Sequence, residues 1–377
     1  MKIIYCLQGI FNSGGMERCL AIKSNWLVKH GYEVIILTTE QKGRLPFFDF
    51  DSRVRHIDLG INYWDNIKRP FLCKLFFFFK NSFLHRKLLN EILRKERADI
   101  VVSMFAHEMA FLNSIRDGSK KILEYHFTKR RYEENKRTGI VGIFDKFYSR
   151  QTLNTIKKFD KFIVLTQHDK LLWGGTNIVN IPNPVPMPKN INASKKKKVL
   201  GVGRLVYEKG FDRLIEIWER FYTAHPDWSL EIVGDGILKD TFQDIIRKKK
   251  LDKCIIISPA TLNIYHKLSE ASILAMTSRH EGFGMVLIEA QSCGVPVISY
   301  DCPSGPAEII HHGIDGFLIN DGDIDTFVEK LELLVLDEEL RKEMGENAQK
   351  NSLQYSEDCI MPQWVSLFKE LSVSKMD

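Results

Sequence analysis

Glu281-Gly282-Phe283-Gly284-Met285-Val286-Leu287-Ile288-Glu289 carries two carboxylates eight positions apart, with a glycine-flanked phenylalanine between them. The turn residues Ser278-Arg279-His280 precede it, and the apolar run after it ends at Cys293-Gly294. A strand pattern, Val295-Pro296-Val297-Ile298-Ser299, follows at once. This order predicts a loop holding Glu281, a helix with Glu289 about two turns inside, and then a buried strand. Gly282 and Gly284 let the backbone approach a ligand closely. The free N–H groups of the helix start, with the positive end of its dipole, favour an anion. Donors for phosphate beside carboxylates for hydroxyls suit a sugar nucleotide. Two glutamates at this spacing also occur on ordinary solvated helices, so the glycines and the strand at the exit carry the reading.

Outward from this segment, strand and helix signals alternate. Strands are expected at Ile3–Leu7, Glu33–Leu37, Val54–Ile57, Ile100–Ser103, Lys121–Tyr125 and Phe162–Leu165, with a helix over about Met16–Lys29 and one or two over Phe71–Lys95. The stretch Ile181–Pro188 holds four prolines, which neither a helix nor a central strand accommodates, and Lys195–Lys198 follows. The series then restarts. Strands are expected at Val199–Val202, Leu230–Val233, Cys254–Ser258 and Ile273–Met276, with helices at Gly210–Tyr222, Leu238–Lys248 and Asn263–Ala271. Such alternation argues for two parallel sheets wrapped by helices, an α/β class with two Rossmann-like domains. The domains read as 1–182 and 199–355, with a linker at 183–198 and a final helical segment at 356–377.

Two further loops carry chemistry. Val202-Gly203-Arg204-Leu205-Val206-Tyr207-Glu208-Lys209-Gly210 follows the first strand of the second domain. Arg204 offers a planar fork to phosphate oxygens and Lys209 a point charge. Basic loop residues are often merely solvated, but ligands of open α/β sheets bind at the carboxyl ends of strands. Gly14-Gly15-Met16-Glu17-Arg18 lies in the first strand–helix loop; it is not G-x-G-x-x-G, and an ordinary tight turn is its plain alternative. Asp49-Phe50-Asp51 mimics a D-x-D metal motif in the wrong architecture, and no cluster has the spacing of a required metal site.

The run Ser278–Ile319, including Gly305-Pro306-Ala307-Glu308 and His311-His312-Gly313-Ile314-Asp315-Gly316, resembles the C-terminal domain of retaining family-4 glycosyltransferases with the GT-B fold. The resemblance extends more weakly over nearly the whole chain and looks most like bacterial enzymes that build capsule, exopolysaccharide or lipopolysaccharide. It implies two domains facing a cleft, the N-terminal one binding the acceptor, and a last helix crossing back to it. It implies a hexose or N-acetylhexosamine moved from a nucleotide-diphosphate sugar to a lipid-linked or growing glycan. By the same resemblance Arg204, Lys209, Gly14, Gly15, Gly284, Met285 and Val286 meet the diphosphate. Glu289 meets the ribose, and Glu281, Phe283 and Gly284 meet the donor sugar. Glu281 and His126 stand at the chemistry, with His107 the competitor to His126. No cofactor and no metal are implied. Ser258-Pro259-Ala260 departs from the glycine that many relatives carry before the base pocket; UDP is the expected base and GDP the second. Two other classes fit the same fold: a sugar-nucleotide epimerase, and a non-catalytic paralogue in a synthase complex.

At 377 residues the chain exceeds a single typical core. No apolar run reaches the roughly 18–20 residues of a membrane span, and the start reads as a strand, not a signal peptide. The seven cysteines, with no C-x-x-C pair, fit reduced thiols of a cytoplasmic protein. The net charge of +6 divides into +13 over residues 1–180 and −7 over 181–377. The basic half, with aromatics interleaved among the cations of Lys68–Lys80 and more charge at Lys129-Arg130-Arg131 and Lys136-Arg137, suits the anionic surface of an inner membrane. A buried amphipathic helix with a charged rim is the plain alternative. No RNA- or DNA-binding module is recognisable, so nucleic acid is not an expected partner.

Overall fold

The computed structural model describes residues 1–66, 69–129, 151–188 and 194–373. Lys68, Arg130, Arg131, Lys136 and Arg137 of the basic stretches lie outside them. The chain forms two compact units, one of residues up to Pro182 together with those from Ile360 onward, the other Asn183–Cys359.

The first unit is built on a parallel sheet of β1 (Lys2–Leu7), β2 (Glu33–Thr38), β3 (Arg55–Asp58), β4 (Ile100–Ser103), β5 (Lys120–Glu124), β6 (Lys161–Val164) and β7 (Ile178–Asn180), in the order β3-β2-β1-β4-β5-β6-β7. Its central strands are apolar almost without break because both faces are covered. Alternate residues serve the two faces. Ile3, Tyr5 and Leu7 pack with Leu20 and Leu27 of the helix Gly15–Lys29 and with Ile360, Met361, Trp364 and Phe368 of the helix Glu357–Val373. Ile4 and Cys6 pack on the other side with Leu89 and Leu93. Those two leucines belong to one long helix, Phe71–Glu96, whose fully buried residues, His85, Leu89, Leu93 and Glu96, all lie in its second half. Its first half leaves Phe71, Leu72, Phe76, Phe79 and Phe83 exposed.

The second unit holds β8 (Lys198–Val202), β9 (Ser229–Val233), β10 (Ile255–Ser258), β11 (Ile273–Met276), β12 (Val297–Asp301) and β13 (Gly316–Asn320), all parallel, in the order β10-β9-β8-β11-β12-β13. The helix Phe211–Tyr222 buries Phe211, Leu214, Ile215, Trp218 and Phe221, spaced as one helical face. Each of these contributes roughly 1.5–3 kcal/mol of burial. In both units the strand order reverses at the first strand, between β1 and β4 and between β8 and β11.

The proline-rich stretch is not the free linker its composition suggests. Val185 is fully buried and pairs with Ser356 in a parallel bridge, and Tyr265 Oη donates to the Pro186 carbonyl at 2.7 Å. Prolines exclude it from a central strand but not from packing along the edge of the second unit.

Candidate functional site

In the second unit the pieces gather at the carboxyl ends of β8 and β11, the two strands that flank the order reversal, where open sheets of this kind bind ligands. The loop after β8 carries Arg204 and Lys209; the loop after β11 carries Glu281. Lys209 Nζ donates to Glu281 Oε1 at 2.6 Å, and Ser278 Oγ donates to the same oxygen at 2.6 Å. The carboxylate is nearly buried, while Lys209 keeps about a fifth of its side chain in solvent. Arg204 is exposed, and no described carboxylate pairs with it. One cation is therefore held and one is open, beside a buried negative charge.

Backbone contacts set these loops. Gly210 sits at φ +64, and a Cβ there would overlap the Thr277 carbonyl; Thr277 Oγ1 in turn donates to the Gly210 carbonyl at 2.8 Å. A Cβ on Gly234 would overlap the Gly203 carbonyl, and one on Gly236 the Leu205 carbonyl. Arg279 clamps the same region. Its guanidinium donates to both oxygens of Asp212 at 2.8 and 2.5 Å and to the Tyr207 carbonyl at 2.9 Å, and its Cζ stands 4.1 Å from the Tyr207 ring centroid. Burial would raise the Asp212 carboxyl, but the Arg279 fork outweighs it and holds that pKa below the ordinary value. Gly234, Gly236 and Arg279 are absent from the expected site. Gly234-Asp235-Gly236 after a strand was a readable signal of close approach; the Arg279–Asp212 pair, 67 residues apart, left none.

The helix after Glu281 runs Met285–Ser292 and is capped by Gly284 at φ +94, a left-handed conformation that glycine adopts without strain. Its first described bond is Leu287 N–H to the Gly284 carbonyl at 2.9 Å, so Met285 and Val286 present first-turn N–H groups, as helix starts do. Glu289 lies one turn further in and is buried. The ring of Phe283 is not presented to a sugar. It is 4% exposed and packs edge-on against Tyr355 with centroids 5.7 Å apart, while Gly305 lies against the backbone of Phe283, where an added Cβ would overlap the Phe283 carbonyl.

In the first unit Gly14 caps the helix Gly15–Lys29 and Gly15 opens it. The neighbouring charge is Glu17, whose carboxylate fills the space a Gly14 Cβ would need and accepts from Asn12 Nδ2 at 3.2 Å. His126, just past β5, is buried, with Nε2 3.0 Å from Glu124 Oε1. His107 follows β4 and belongs to a different cluster, stacked on Tyr63 at 3.9 Å with burial lowering its pKa. The acidic mimic is occupied by its own neighbour: Arg53 donates to both Asp51 oxygens at 2.8 Å.

With this geometry in place, comparison with known proteins is specific. Residues 13–186 match the family model described as Glycosyltransferase Family 4, and residues 186–351 match Glycosyl transferases group 1. An uncharacterised glycosyltransferase of Haemophilus influenzae is 29% identical over 371 residues, 96% of this chain and 98% of its own. The amylovoran biosynthesis glycosyltransferase AmsD of Erwinia amylovora is 29% identical over 382 residues, again 96% and 98%. Among solved structures, a point mutant of S. aureus TarM, in complex with fondaparinux, α-GlcNAc-glycerol and UDP, superposes with a TM-score of 0.79 at 17% identity, covering 97% of this chain and 99% of that one.

Proposed function

The chain belongs to the family-4 glycosyltransferases with the GT-B fold, enzymes of the polysaccharide-building type, and from that premise we propose that it moves a hexose or N-acetylhexosamine from a UDP-sugar to a lipid-linked or growing cell-surface glycan, with retention at the anomeric carbon. The observation that carries this reading is the Lys209–Glu281 pair at the strand-order reversal, with a glycine-capped helix start directly after it. Cation and N–H donors suit a diphosphate; the carboxylate suits sugar hydroxyls and positive charge at an anomeric carbon. The UDP held by TarM supports the choice of base, and the amylovoran relative supports a surface polysaccharide as product.

In this mechanism Arg204, Lys209 and the Met285 and Val286 N–H groups stabilise charge on the departing diphosphate, as preorganised donors do. Glu289 holds the ribose hydroxyls. The bond from C1 to the β-phosphate oxygen breaks as the acceptor oxygen bonds C1 on the same face. The acceptor proton goes to that phosphate oxygen, and Glu281 steadies the oxocarbenium-like centre. These steps require neither a metal nor a cofactor.

Calorimetric titration with UDP, GDP and ADP tests the donor site. UDP is expected to bind selectively, and Glu289→Ala to weaken it at least about tenfold, the loss of a charge-assisted pair of hydrogen bonds. Selective GDP binding would redirect the donor; no binding of any nucleotide would favour a non-catalytic paralogue. Product analysis with and without a lipid acceptor separates transfer from epimerisation.

We place the enzyme on the cytoplasmic face of an anionic membrane. No helix among the described residues is long and apolar enough to cross one. The first half of the helix Phe71–Glu96 instead presents Phe71, Phe76, Phe79 and Phe83 at 63–76% exposure, with Lys74 and Lys80 interleaved and Arg86 and Lys87 one turn beyond. Contiguous exposed aromatics among cations suit insertion at a headgroup boundary. Phe76→Glu/Phe79→Glu is expected to abolish most sedimentation with vesicles containing phosphatidylglycerol while leaving UDP affinity intact. Unchanged sedimentation would remove this helix as the contact.

A further inference from the structure

Three ionisable side chains meet inside the first unit. Lys23, on the helix Gly15–Lys29, and Glu124, at the end of β5, are both fully buried. Lys23 Nζ donates to both Glu124 oxygens, at 2.5 and 2.6 Å. His126 Nε2 is 3.0 Å from Oε1 of the same carboxylate, with 5% of its side chain exposed. That last contact is an electrostatic approach, not an aligned hydrogen bond. The helix Glu357–Val373 closes the group: Lys23 Nζ stands 4.2 Å from the Trp364 ring centroid and 5.2 Å from that of Tyr5.

Fold stability does not account for this arrangement. Removing two ions from water has a large desolvation penalty, and an apolar pair of similar volume commonly serves a core as well or better. The geometry does account for a histidine. A carboxylate bound through both oxygens to one ammonium is fixed in plane and position. It also stays ionised: burial alone would raise its pKa, but the Lys23 ammonium and His126 bring it down to about 2. A negative carboxylate oxygen 3.0 Å from an imidazole nitrogen repels a lone pair there and attracts an N–H, so electrostatics favour the proton on Nε2 even without an aligned hydrogen bond.

We propose that Lys23 and Glu124 are positioning residues for His126: the Lys23-locked carboxylate holds the imidazole as its Nε2–H tautomer and leaves Nδ1 as the nitrogen available to substrate. The inference rests on the reading of His126 as the residue of this unit that approaches the donor sugar. Neither Lys23 nor Glu124 touches substrate in it. The arrangement has the logic of a carboxylate that orients a histidine for chemistry.

Two measurements on the full chain test it. Two-bond proton–nitrogen correlation spectra of histidine-labelled protein, recorded at about pH 8.5 where a free imidazole is neutral, report each tautomer, with His126 assigned by its loss in His126→Ala. The wild type is expected to show the Nε2–H pattern, and Glu124→Gln a shift toward Nδ1–H, because an amide can donate. Should Glu124→Gln fail to fold around a lone ammonium, Lys23→Met/Glu124→Gln replaces it without a buried charge. The second measurement is turnover. Glu124→Gln is expected to lower kcat at least about tenfold with donor KM within about threefold, and to add less than about twofold in a His126→Ala background. An Nδ1–H pattern in the wild type, or additive losses in the double variant, would overturn the proposal. The spectra need no turnover, so a failed transferase reading and a failed positioning role give different results.

Discussion

Glu281→Gln is expected to lower turnover by about 10²–10³-fold, the magnitude typical of removing one preorganised electrostatic contact from a reacting centre, while the Kd for UDP changes less than about threefold. The reason lies in what Oε1 does. It accepts from Lys209 Nζ and from Ser278 Oγ, each at 2.6 Å, in a nearly buried position. Glutamine has the same shape and retains an acceptor for the Ser278 hydroxyl. It removes the negative charge, which matters when positive charge grows at C1. It also releases Lys209 toward a diphosphate, so nucleotide binding has no cause to weaken. Steady-state kinetics with calorimetry of UDP separate the two quantities. Equal losses in kcat and in UDP affinity would assign Glu281 to ground-state binding and end its role at the reacting carbon.

The second large effect belongs to a residue with no functional group. Gly234→Ala is expected to destabilise the protein by about 2–4 kcal/mol, the range of overpacking with a forced backbone shift, and to weaken UDP binding more than about tenfold. Gly234 does not need its glycine for torsional reasons; its φ lies outside the left-handed region. The new methyl would overlap the carbonyl of Gly203, which leads directly into Arg204. Either loop must move, and the Arg204 guanidinium moves with it. Gly313→Ala is the control. That residue sits at φ +78 with nothing within 4 Å of the added Cβ, so it carries only the left-handed penalty of about 1–2 kcal/mol and leaves UDP affinity unchanged. Urea unfolding and calorimetry of both variants decide the matter. Equal UDP affinity in the wild type and Gly234→Ala would show that the two loops are not coupled.

Much of the fold was legible because its signals are local. Apolar runs such as Ile3–Leu7 and Ile273–Met276 are buried on both faces, and their neighbours repeat with helical spacing. The glutamate segment was legible for the same reason, since turn, glycine and helix lie within a dozen residues. The strands Ile178–Asn180 and Gly316–Asn320 were missed. The first is three residues long and runs into prolines, and the second sits inside a stretch read as a motif. Family resemblance puts Phe283 at the donor sugar, and no local signal tells that its ring is buried against Tyr355, 72 positions away. Nothing in the sequence around Lys23 marks it for burial. Only folding reveals that Glu124, 101 residues on, takes its charge. Local chemistry named the loops and the helix start, while long-range pairing decides which side chains in them are held and which are open.

The last helix has a consequence for the order in which the chain can fold as it is made. Ile360, Met361, Trp364, Leu367, Phe368 and Leu371 complete the same core as Ile3, Tyr5 and Leu20. The first unit is thus completed by residues that are made only after the whole of Asn183–Cys359. At about 5–20 residues per second, synthesis of Asn183–Cys359 takes roughly 9–35 s. Through that interval one face of the nascent sheet lacks part of its cover, whereas Asn183–Cys359 is one contiguous stretch of chain. A chain interrupted before Ile360 would leave exposed the apolar face that Trp364 and Phe368 cover.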